Sequence, residues 1–385
     1  MSKFRRTASL ALCLVIVTMA VAGCRRQGSS DLPVLVAGAS HNLAVAADGT
    51  LWAWGWNGYG QLGDGTTTDH PTPVQVPGMA DVVAIAGGVV QTLALRRDGT
   101  VWAWGWNTSG QLGDGTTTDR STPVQVRGLA DVVAIAGGRW YSLALRHDGT
   151  VWAWGQNDSG QLGDGTTNDR STPVQVQGLA DVVAIAGAGW HAIALRRDGT
   201  VWAWGNNFYG QLGDGTTTNL RLTPVQVQGM ADVVAVAGGS EHTMALRRDG
   251  TVWAWGFNEY GQLGDGTTTN RSTPVQVPGM ADVVAIAGGA EHTLALRRDG
   301  TVWAWGHNEQ GQLGDGTTTD RSTPVQVQGL ADVVAIAGAV WHTLALRRDG
   351  TVWAWGFNNS GQPNDGTTAN PLAPVQAQGL PDMGP

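Results

Sequence analysis

Charged residues and cysteines are both scarce in this sequence of 385 residues. Asp, Glu, Lys and Arg supply 14% of the chain, whereas an ordinary soluble domain contains about 25%. Because disordered chains are typically rich in net charge, this shortage excludes charge-driven disorder. The two cysteines, Cys13 and Cys24, lie within the first 24 residues. The rest of the chain can therefore form neither a disulfide nor a zinc site built on thiolates.

Long apolar runs, basic clusters and catalytic motifs are also missing. No apolar run after residue 24 is long enough to span a bilayer. The formal charge is -8 and no Lys- or Arg-rich stretch is present, which predicts that the protein does not bind nucleic acid. The sequence contains no His-Glu-x-x-His, Gly-x-Ser-x-Gly or phosphate-loop pattern. It therefore predicts no catalytic residue, no cofactor and no metal site.

Residues 1–23 have the pattern of an export signal, with three basic residues before an apolar run over residues 10–22. The segment 21–24, Val-Ala-Gly-Cys, resembles the lipobox of bacterial lipoproteins, in which the cysteine is acylated and becomes the new N-terminus. The resemblance implies a lipid anchor at Cys24 in a membrane of the bacterial cell envelope, with residues 24–30 as anchor and short tether. A soluble secretory signal followed by an ordinary thiol, and an uncleaved anchor helix, are the alternatives.

The rest of the chain is an internal repeat. The tetrapeptide Trp-Ala-Trp-Gly begins at regular intervals, at Trp52, Trp102, Trp152, Trp202, Trp253, Trp303 and Trp353. The corresponding repeats within residues 31–381 are 31–80, 81–130, 131–180, 181–231, 232–281, 282–331 and 332–381, and residues 382–385 form a tail. Repeats of this length are typical of propellers and solenoids.

Each repeat predicts four short β-strands. In the second repeat, runs rich in β-branched, apolar and aromatic residues occur at 82–86, 92–95, 100–104 and 123–126, separated by segments that contain glycine. An Asp-Gly pair between the second and third runs is typical of a hairpin turn. The repeat is therefore predicted to be a four-stranded antiparallel meander.

Seven such units can close into a β-propeller or stack into an open β-solenoid. A solenoid needs polar end caps, whereas the last repeat keeps Trp353, Trp355 and Val375. The sequence therefore favours an all-β fold, a closed seven-bladed β-propeller. Alternation along Trp102-Ala103-Trp104 puts both tryptophans on one sheet face, so both tryptophans of each repeat are predicted to be buried between blades.

The whole repeat resembles the regulator of chromosome condensation repeat. The hallmark Gly-Gln-Leu-Gly recurs from residues 60–63 onward and fails only at Pro363. The resemblance covers residues 31–381 and implies a seven-bladed propeller whose termini meet in one blade, with residues 374–377 beside the strands of residues 34–54. It also implies guanine-nucleotide exchange, the activity of the eukaryotic namesake, as one alternative function.

Differences among the repeats concentrate in two loops of each unit. One loop follows the first predicted strand, at 39–41, 89–91, 139–141, 189–191, 240–242, 290–292 and 340–342. The other follows the third, at 56–59, 106–109, 156–159, 206–209, 257–260, 307–310 and 357–360. In an up-and-down meander both loops emerge on the same rim, and aromatic and Arg side chains dominate binding hot spots.

These loops predict a binding face for a protein or polymer ligand. The alternative explanation for their differences is that the sequence of an unconstrained loop changes without any effect on function. The predicted binding residues are Trp56, Tyr59, Trp106, Arg139, Trp140, Tyr141, Trp190, Phe208, Tyr209, Glu241, Phe257, Tyr260, Glu291, His307, Trp341 and Phe357. The main functional prediction is a non-enzymatic binding propeller anchored in the cell envelope.

Histidine recurs at one equivalent position of five repeats, and each is predicted to hydrogen-bond a neighbouring blade rather than to hold a metal. These structural histidines are His41, His191, His242, His292 and His342. Glutamate occurs only at Glu241, Glu259, Glu291 and Glu309. An alternative hypothesis is therefore a hydrolase or lyase that acts on an extracellular polymer through Glu241, Glu291 and their histidine neighbours.

Overall fold

The computed structural model describes residues 34–217, 220–380 and 383, and every regular element in this part of the chain is a β-strand. The 28 strands form seven sheets, each made of four consecutive antiparallel strands. The predicted seven-bladed β-propeller is confirmed. No helix able to cross a membrane occurs in the described ranges. The predicted export signal and lipid anchor lie outside them.

The strands are numbered in chain order, four to a blade. Blades 1 to 3 contain β1 (Val34–Ala37), β2 (His41–Val45), β3 (Leu51–Gly55), β4 (His70–Gln75), β5 (Val82–Gly87), β6 (Gln91–Arg96), β7 (Val101–Gly105), β8 (Arg120–Gln125), β9 (Val132–Gly137), β10 (Tyr141–Arg146), β11 (Val151–Gly155) and β12 (Arg170–Gln175). Blades 4 and 5 contain β13 (Val182–Gly187), β14 (His191–Arg196), β15 (Val201–Asn206), β16 (Leu220–Gln226), β17 (Val233–Gly238), β18 (His242–Arg247), β19 (Val252–Gly256) and β20 (Arg271–Gln276). Blades 6 and 7 contain β21 (Val283–Gly288), β22 (His292–Arg297), β23 (Val302–Gly306), β24 (Arg321–Gln326), β25 (Val333–Gly338), β26 (His342–Arg347), β27 (Val352–Gly356) and β28 (Val375–Gln376).

The first strand of each blade faces the central axis. A narrow axial cavity of about 160 Å³ is lined by these strands, for example by Val36, Ile85 and Ile135. Glycine permits the close approach of neighbouring blades there. A Cβ atom on Gly137 would lie 2.6 Å from the carbonyl oxygen of Gly87, which is too close for any side chain.

The ring closes without sharing a strand between its two ends. The repeat resemblance implied that residues 374–377 would pair beside the strands of residues 34–54, and this prediction is wrong. Instead β28 pairs with β27 of its own blade, with Val375 opposite Ala354, and β1 to β4 form a complete sheet. The physical reason is that both terminal repeats supply all four of their own strands, so neither blade has a vacant edge for the other end of the chain.

Side-chain contacts hold the last blade against the first. The Trp54 indole and the Asn42 amide both donate to the carbonyl oxygen of Gln362, at 2.9 and 2.8 Å. His342 Nε2 lies 2.7 Å from Asn42 Oδ1. Apolar residues of the two blades surround these contacts in one hydrophobic cluster. Closure therefore depends on packing and hydrogen bonds between side chains and backbone.

The same indole contact recurs between all neighbouring blades. The second tryptophan of each repeat is completely buried. Its Nε1 donates, at 2.8 to 2.9 Å, to a glutamine carbonyl of the preceding blade, in the pairs Trp54–Gln362, Trp104–Gln61, Trp154–Gln111, Trp204–Gln161, Trp255–Gln211, Trp305–Gln262 and Trp355–Gln312. This glutamine belongs to the Gly-Gln-Leu-Gly hallmark. Because the acceptor is a backbone oxygen, Pro363 leaves the contact intact.

The first tryptophan of each repeat is only half-buried, so the burial prediction holds for one tryptophan of each pair. Trp102 lies beside the turn between β6 and β7, where the strand reaches the rim of the sheet. The guanidinium carbon of Arg96 lies 5.0 Å from its ring centroid. The Arg96 guanidinium therefore covers part of the Trp102 ring, which the sequence pattern predicted to be buried between blades.

Candidate binding face

The loops after the first and third strands of each blade lie together on one rim of the disc, which we call the variable rim. The amide of Trp56 donates to the carbonyl oxygen of Ser40 at 2.9 Å, and that of Phe257 donates to Glu241 at 2.9 Å. These bonds tie one loop to the other within a blade. The predicted meeting of the two loops on a single rim is confirmed.

Aromatic rings on blades 1 to 4 form a continuous series of contacts, the first aromatic arc. Ring centroids are 5.5 Å apart for Trp56 and Tyr59, and 5.9 Å apart for Tyr59 and Trp106. They are 5.4 Å apart for Trp106 and Trp140, and 5.4 Å apart for Trp140 and Trp190. Three of these four contacts are edge-to-face, a geometry that stabilises the arrangement beyond the burial of area. The arc therefore presents ordered rings rather than independent loop side chains.

Arg139 is held within this arc. Its guanidinium carbon lies 4.5 Å from the Trp140 ring centroid and 4.7 Å from that of Trp190. Burial lowers the pKa of Arg139, and the negative charge of Glu241 opposes that shift. The cation is thus fixed by two ring faces.

Blades 4 to 7 carry a second aromatic arc. Ring centroids are 4.8 Å apart for Tyr209 and Phe257, and 6.1 Å apart for Phe257 and Tyr260. His307 continues the arc, 4.6 Å from Tyr260 and 6.0 Å from Trp341. The two arcs together bring most of the predicted binding residues onto one surface.

Two half-buried carboxylates lie beside the second aromatic arc. Burial and the nearby charge of Glu291 raise the pKa of Glu241, while Arg139 lowers it. Burial also raises the pKa of Glu291, an effect that only a positively charged His307 would oppose. Both carboxylates are therefore in surroundings that disfavour their charge.

A cavity of about 480 Å³ opens at the axis inside the variable rim. It is lined mainly by the backbone of small residues, together with side chains such as Ser40, Arg139, Ser240, Glu291 and Trp341. The sequence did not predict this cavity. The glycine pairs at the ends of the first strands are the signal that could have indicated it, since they leave the axis without side chains.

Two predicted binding residues contribute less than expected to the accessible face. Phe257 and His307 are nearly buried within the second arc. Phe357 is half-buried on blade 7. Phe208, by contrast, is 56% exposed and stands beside the arcs.

Tyr141 does not lie on the binding face, so its assignment as a binding residue is wrong. It is completely buried at the first position of β10, the position that histidine occupies in five other blades. Its hydroxyl donates to the carbonyl oxygen of His191 and accepts from the Ala188 amide at 3.0 Å. Burial raises the pKa of this phenol above its usual range.

The substitution Tyr141→Phe is expected to lower the free energy of unfolding by about 1 kcal/mol, because it removes the buried hydroxyl that bonds to His191 and Ala188, while the Ala188 amide keeps its bond to the His191 carbonyl at 3.1 Å. Urea denaturation at neutral pH measures the change. Tyr59→Phe, at an exposed ring on the same rim, is the matched control and is expected to change stability little. Equal effects of the two substitutions would contradict the buried role of Tyr141.

Five imidazoles form a buried ring beneath the variable rim. Each Nε2 lies 2.7 to 3.1 Å from a side-chain oxygen of the next blade, in the pairs His41–Thr92, His191–Thr243, His242–Thr293, His292–Thr343 and His342–Asn42. The threonine hydroxyls donate to glutamine carbonyls, as Thr92 does to Gln61 at 2.8 Å. The hydroxyl proton is thereby used, so the imidazole must donate from Nε2.

Burial keeps these imidazoles neutral. It lowers the pKa of His41 to about 4 and that of His191, His242, His292 and His342 to about 3. The side chains of His242 and His292 are completely buried, so in this structure neither lies on the rim surface beside Glu241 and Glu291, where the hydrolase hypothesis placed them. Among the described residues no group of His, Cys, Asp or Glu is placed to hold a metal ion.

Comparisons with known proteins agree with the fold. A sequence model of the RCC1-like domain matches residues 79–383, and one of the regulator of chromosome condensation (RCC1) repeat matches residues 48–95. Human WBSCR16 is 24% identical, with a TM-score of 0.78 over 86% of this chain and 94% of its own. Prp20p of Saccharomyces cerevisiae is 24% identical, with a TM-score of 0.76 over 91% of this chain and 88% of its own. These two likenesses concern the fold.

Among curated proteins, the human E3 ubiquitin-protein ligase HERC2 is 53% identical over 47 residues, which is 12% of this chain and 1% of that protein. The chain thus spans only a very small part of this relative. The similarity is that of a single repeat.

Proposed function

Because the chain belongs to the RCC1-like domain family, we propose that it is a non-enzymatic binding propeller whose variable rim recognises a protein or polymer ligand. The observation that carries the proposal is the contrast between its two rims. The variable rim bears two ordered aromatic arcs and a fixed Arg139. The opposite rim repeats the same Asp-Gly turn in every blade.

Structural relatives support protein recognition by this fold. Yeast Prp20p binds Gsp1p and histones, and it has also been crystallised bound to Kap60. A propeller that acts by binding needs no reactive group, in keeping with the buried state of the histidines here. Guanine-nucleotide exchange stays a prediction for this chain, because fold likeness does not transmit an activity.

We propose further that the protein is lipid-anchored through Cys24 with its variable rim directed away from the membrane. β1 runs toward the variable rim, since Ala37 leads directly into the loop at residues 38–40. The chain therefore enters the propeller at the opposite rim, near Val34. A short tether between Cys24 and that point would keep the opposite rim nearest the membrane.

The variants Trp140→Ala and Trp190→Ala are expected to reduce recovery of a ligand at least tenfold, because they remove the centre of the first aromatic arc. The measurement is affinity capture from envelope extract with the full chain in neutral detergent, quantified by mass spectrometry. Trp152→Ala is the matched control, since Trp152 is also half-buried but lies toward the opposite rim. Recovery of the same ligands by the parent chain and all three variants would refute the proposed binding face.

A further inference from the structure

The carboxylate of Glu291 has no cationic partner at close range among the described residues. Its Oε2 lies 3.7 Å from His307 Nδ1. That nitrogen lies 3.0 Å from Gln312 Nε2, while Gln312 Oε1 accepts from the Gln310 amide at 3.0 Å. The amide group of Gln312 therefore donates to Nδ1, which must be an unprotonated acceptor. His307 in this tautomer cannot neutralise Glu291 as an ion pair.

Glu241 is equally short of a partner. Among the described residues, Arg139 is the only cation that shifts the pKa of Glu241, and the two side chains form no ion pair. Arg139 is instead held between Trp140 and Trp190. A half-buried carboxylate without a counter-charge is costly, and a cation brought by a ligand would relieve that cost.

Aromatic rings form a wall beside these two carboxylates. The amides of Phe257 and His307 donate to the carbonyl oxygens of Glu241 and Glu291, at 2.9 Å each, which fixes each glutamate next to a member of the second aromatic arc. Tyr209 and Phe257 lie 4.8 Å apart in that arc. A cation within about 6 Å of such ring faces is attracted to them.

The loops of the variable rim carry a marked excess of negative charge. Five carboxylates occur in the variable segments after the first and third strands, at Asp158, Glu241, Glu259, Glu291 and Glu309, against one arginine, Arg139. Four of the five belong to blades 5 and 6, which also bear Phe257, Tyr260 and His307. Negative charge and aromatic surface therefore coincide in one sector of the rim.

We propose that the sector formed by the second aromatic arc with Glu241 and Glu291 binds the cationic side chains of a basic segment in a protein partner. The proposal deepens, and rests on, the proposed function of the variable rim. Charge complementarity selects the partner, because an acidic ligand would face the excess of carboxylates. The adjoining axial cavity, which Glu291 and Trp341 help to line, gives an extended side chain room to enter.

The test compares two peptides that differ only in charge. The probes are acetylated and amidated hexapeptides, one with three Gly-Arg repeats and one with citrulline, the neutral isostere, in place of each arginine. Titration calorimetry uses the full chain in neutral detergent. We expect the arginine peptide to bind at least tenfold more tightly than the citrulline peptide, with an affinity that falls as salt is raised. Equal affinities, or no binding of the arginine peptide, would overturn the proposal.

The double variant Glu241→Gln/Glu291→Gln is expected to bind the arginine peptide at least tenfold more weakly, because both carboxylates become neutral while their shape is kept. Asp158→Asn, which removes an acidic group of the same rim on blade 3, is the control and is expected to leave binding unchanged. Thermal unfolding checks that all variants are folded. Unchanged affinity in the double variant would also overturn the proposal. The ligand capture lost with Trp140→Ala tests the proposed function independently, so the two ideas can fail separately.

Discussion

Acidification from pH 7.5 to pH 5 is expected to remove most of the free energy of unfolding of this propeller. The pKa of His41 is lowered to about 4, and those of the other four buried histidines to about 3, while an unfolded histidine titrates near about 6.5. The unfolded chain therefore binds protons that the folded chain cannot. Stability is fully present above pH 6.5 and is lost as the pH falls toward the folded pKa values.

The expected size of the loss follows from the distance between the two pKa values. At pH 5 each buried histidine destabilises the fold by about 2 kcal/mol relative to neutral pH. Five such losses are comparable with the whole stability of an ordinary domain, about 5–15 kcal/mol. Urea denaturation across pH 5 to 7.5 measures the effect, and the midpoint is expected to fall steeply below pH 6.5.

The chain itself suggests a matched variant for this experiment. In blade 2 the histidine position is occupied by Gln91, which is completely buried and donates to the carbonyl oxygen of Gly138 at 3.0 Å. His242→Gln is therefore expected to fold and to reduce the loss between pH 7.5 and 5 by about 2 kcal/mol. His147→Gln, at an exposed position on the opposite rim, is the control for the same change of residue outside the buried ring. A pH profile identical in His242→Gln and the parent chain would contradict the role of these imidazoles.

The blade architecture could be predicted from the sequence because it depends on local patterns. The alternation in Trp102-Ala103-Trp104 and the Asp-Gly turn each determine structure within one blade. The regular recurrence of the repeat then gives the number of blades. The closure of the ring could not be predicted in the same way. Whether β28 pairs with β27 or beside the strands of residues 34–54 depends on which edge is vacant, and the family resemblance implied an exchange of strands that the complete terminal repeats do not need.

The binding face was predicted in part for a similar reason. Sequence variation among the repeats identified the two loops, because their side chains are not needed for the contacts between blades and can therefore differ. It misassigned Tyr141, since a tyrosine in a variable loop segment was taken to be exposed although its position is the buried first residue of β10. The axial cavity and the unpaired Glu241 and Glu291 arise only when seven blades are assembled around one axis.

The contacts between blades explain how the rim can vary while the fold is kept. The indole of each second tryptophan bonds to a backbone carbonyl, for example Trp154 Nε1 to Gln111 O at 2.9 Å. A backbone acceptor is present whatever side chains follow in the loop. Sequence change on the variable rim therefore has little effect on the contacts that hold neighbouring blades together.

Replacing one of these buried tryptophans is expected to have the largest effect of any single substitution. Trp154→Ala removes a completely buried ring from the hydrophobic cluster between blades 2 and 3, together with one of the two donors to the Gln111 carbonyl, which keeps the Ser142 hydroxyl. The expected loss in the free energy of unfolding is about 3–5 kcal/mol. Trp152→Ala, at the half-buried tryptophan of the same strand, is the control and is expected to have a smaller effect. Denaturant unfolding of the two variants distinguishes them.

The equivalent substitution at the junction of the last and first blades tests how the ring closes. Trp54→Ala removes the same indole contact, here to Gln362, but within the described residues no strand crosses this junction and no loop connects blade 7 to blade 1. Opening there is therefore expected to release β1 and β28, so their amides should exchange hydrogen faster in Trp54→Ala than in Trp154→Ala. The chain between β8 and β9 ties blades 2 and 3 together, which limits such opening in Trp154→Ala. If β1 and β28 exchanged equally in both variants, closure through side-chain contacts alone would be refuted.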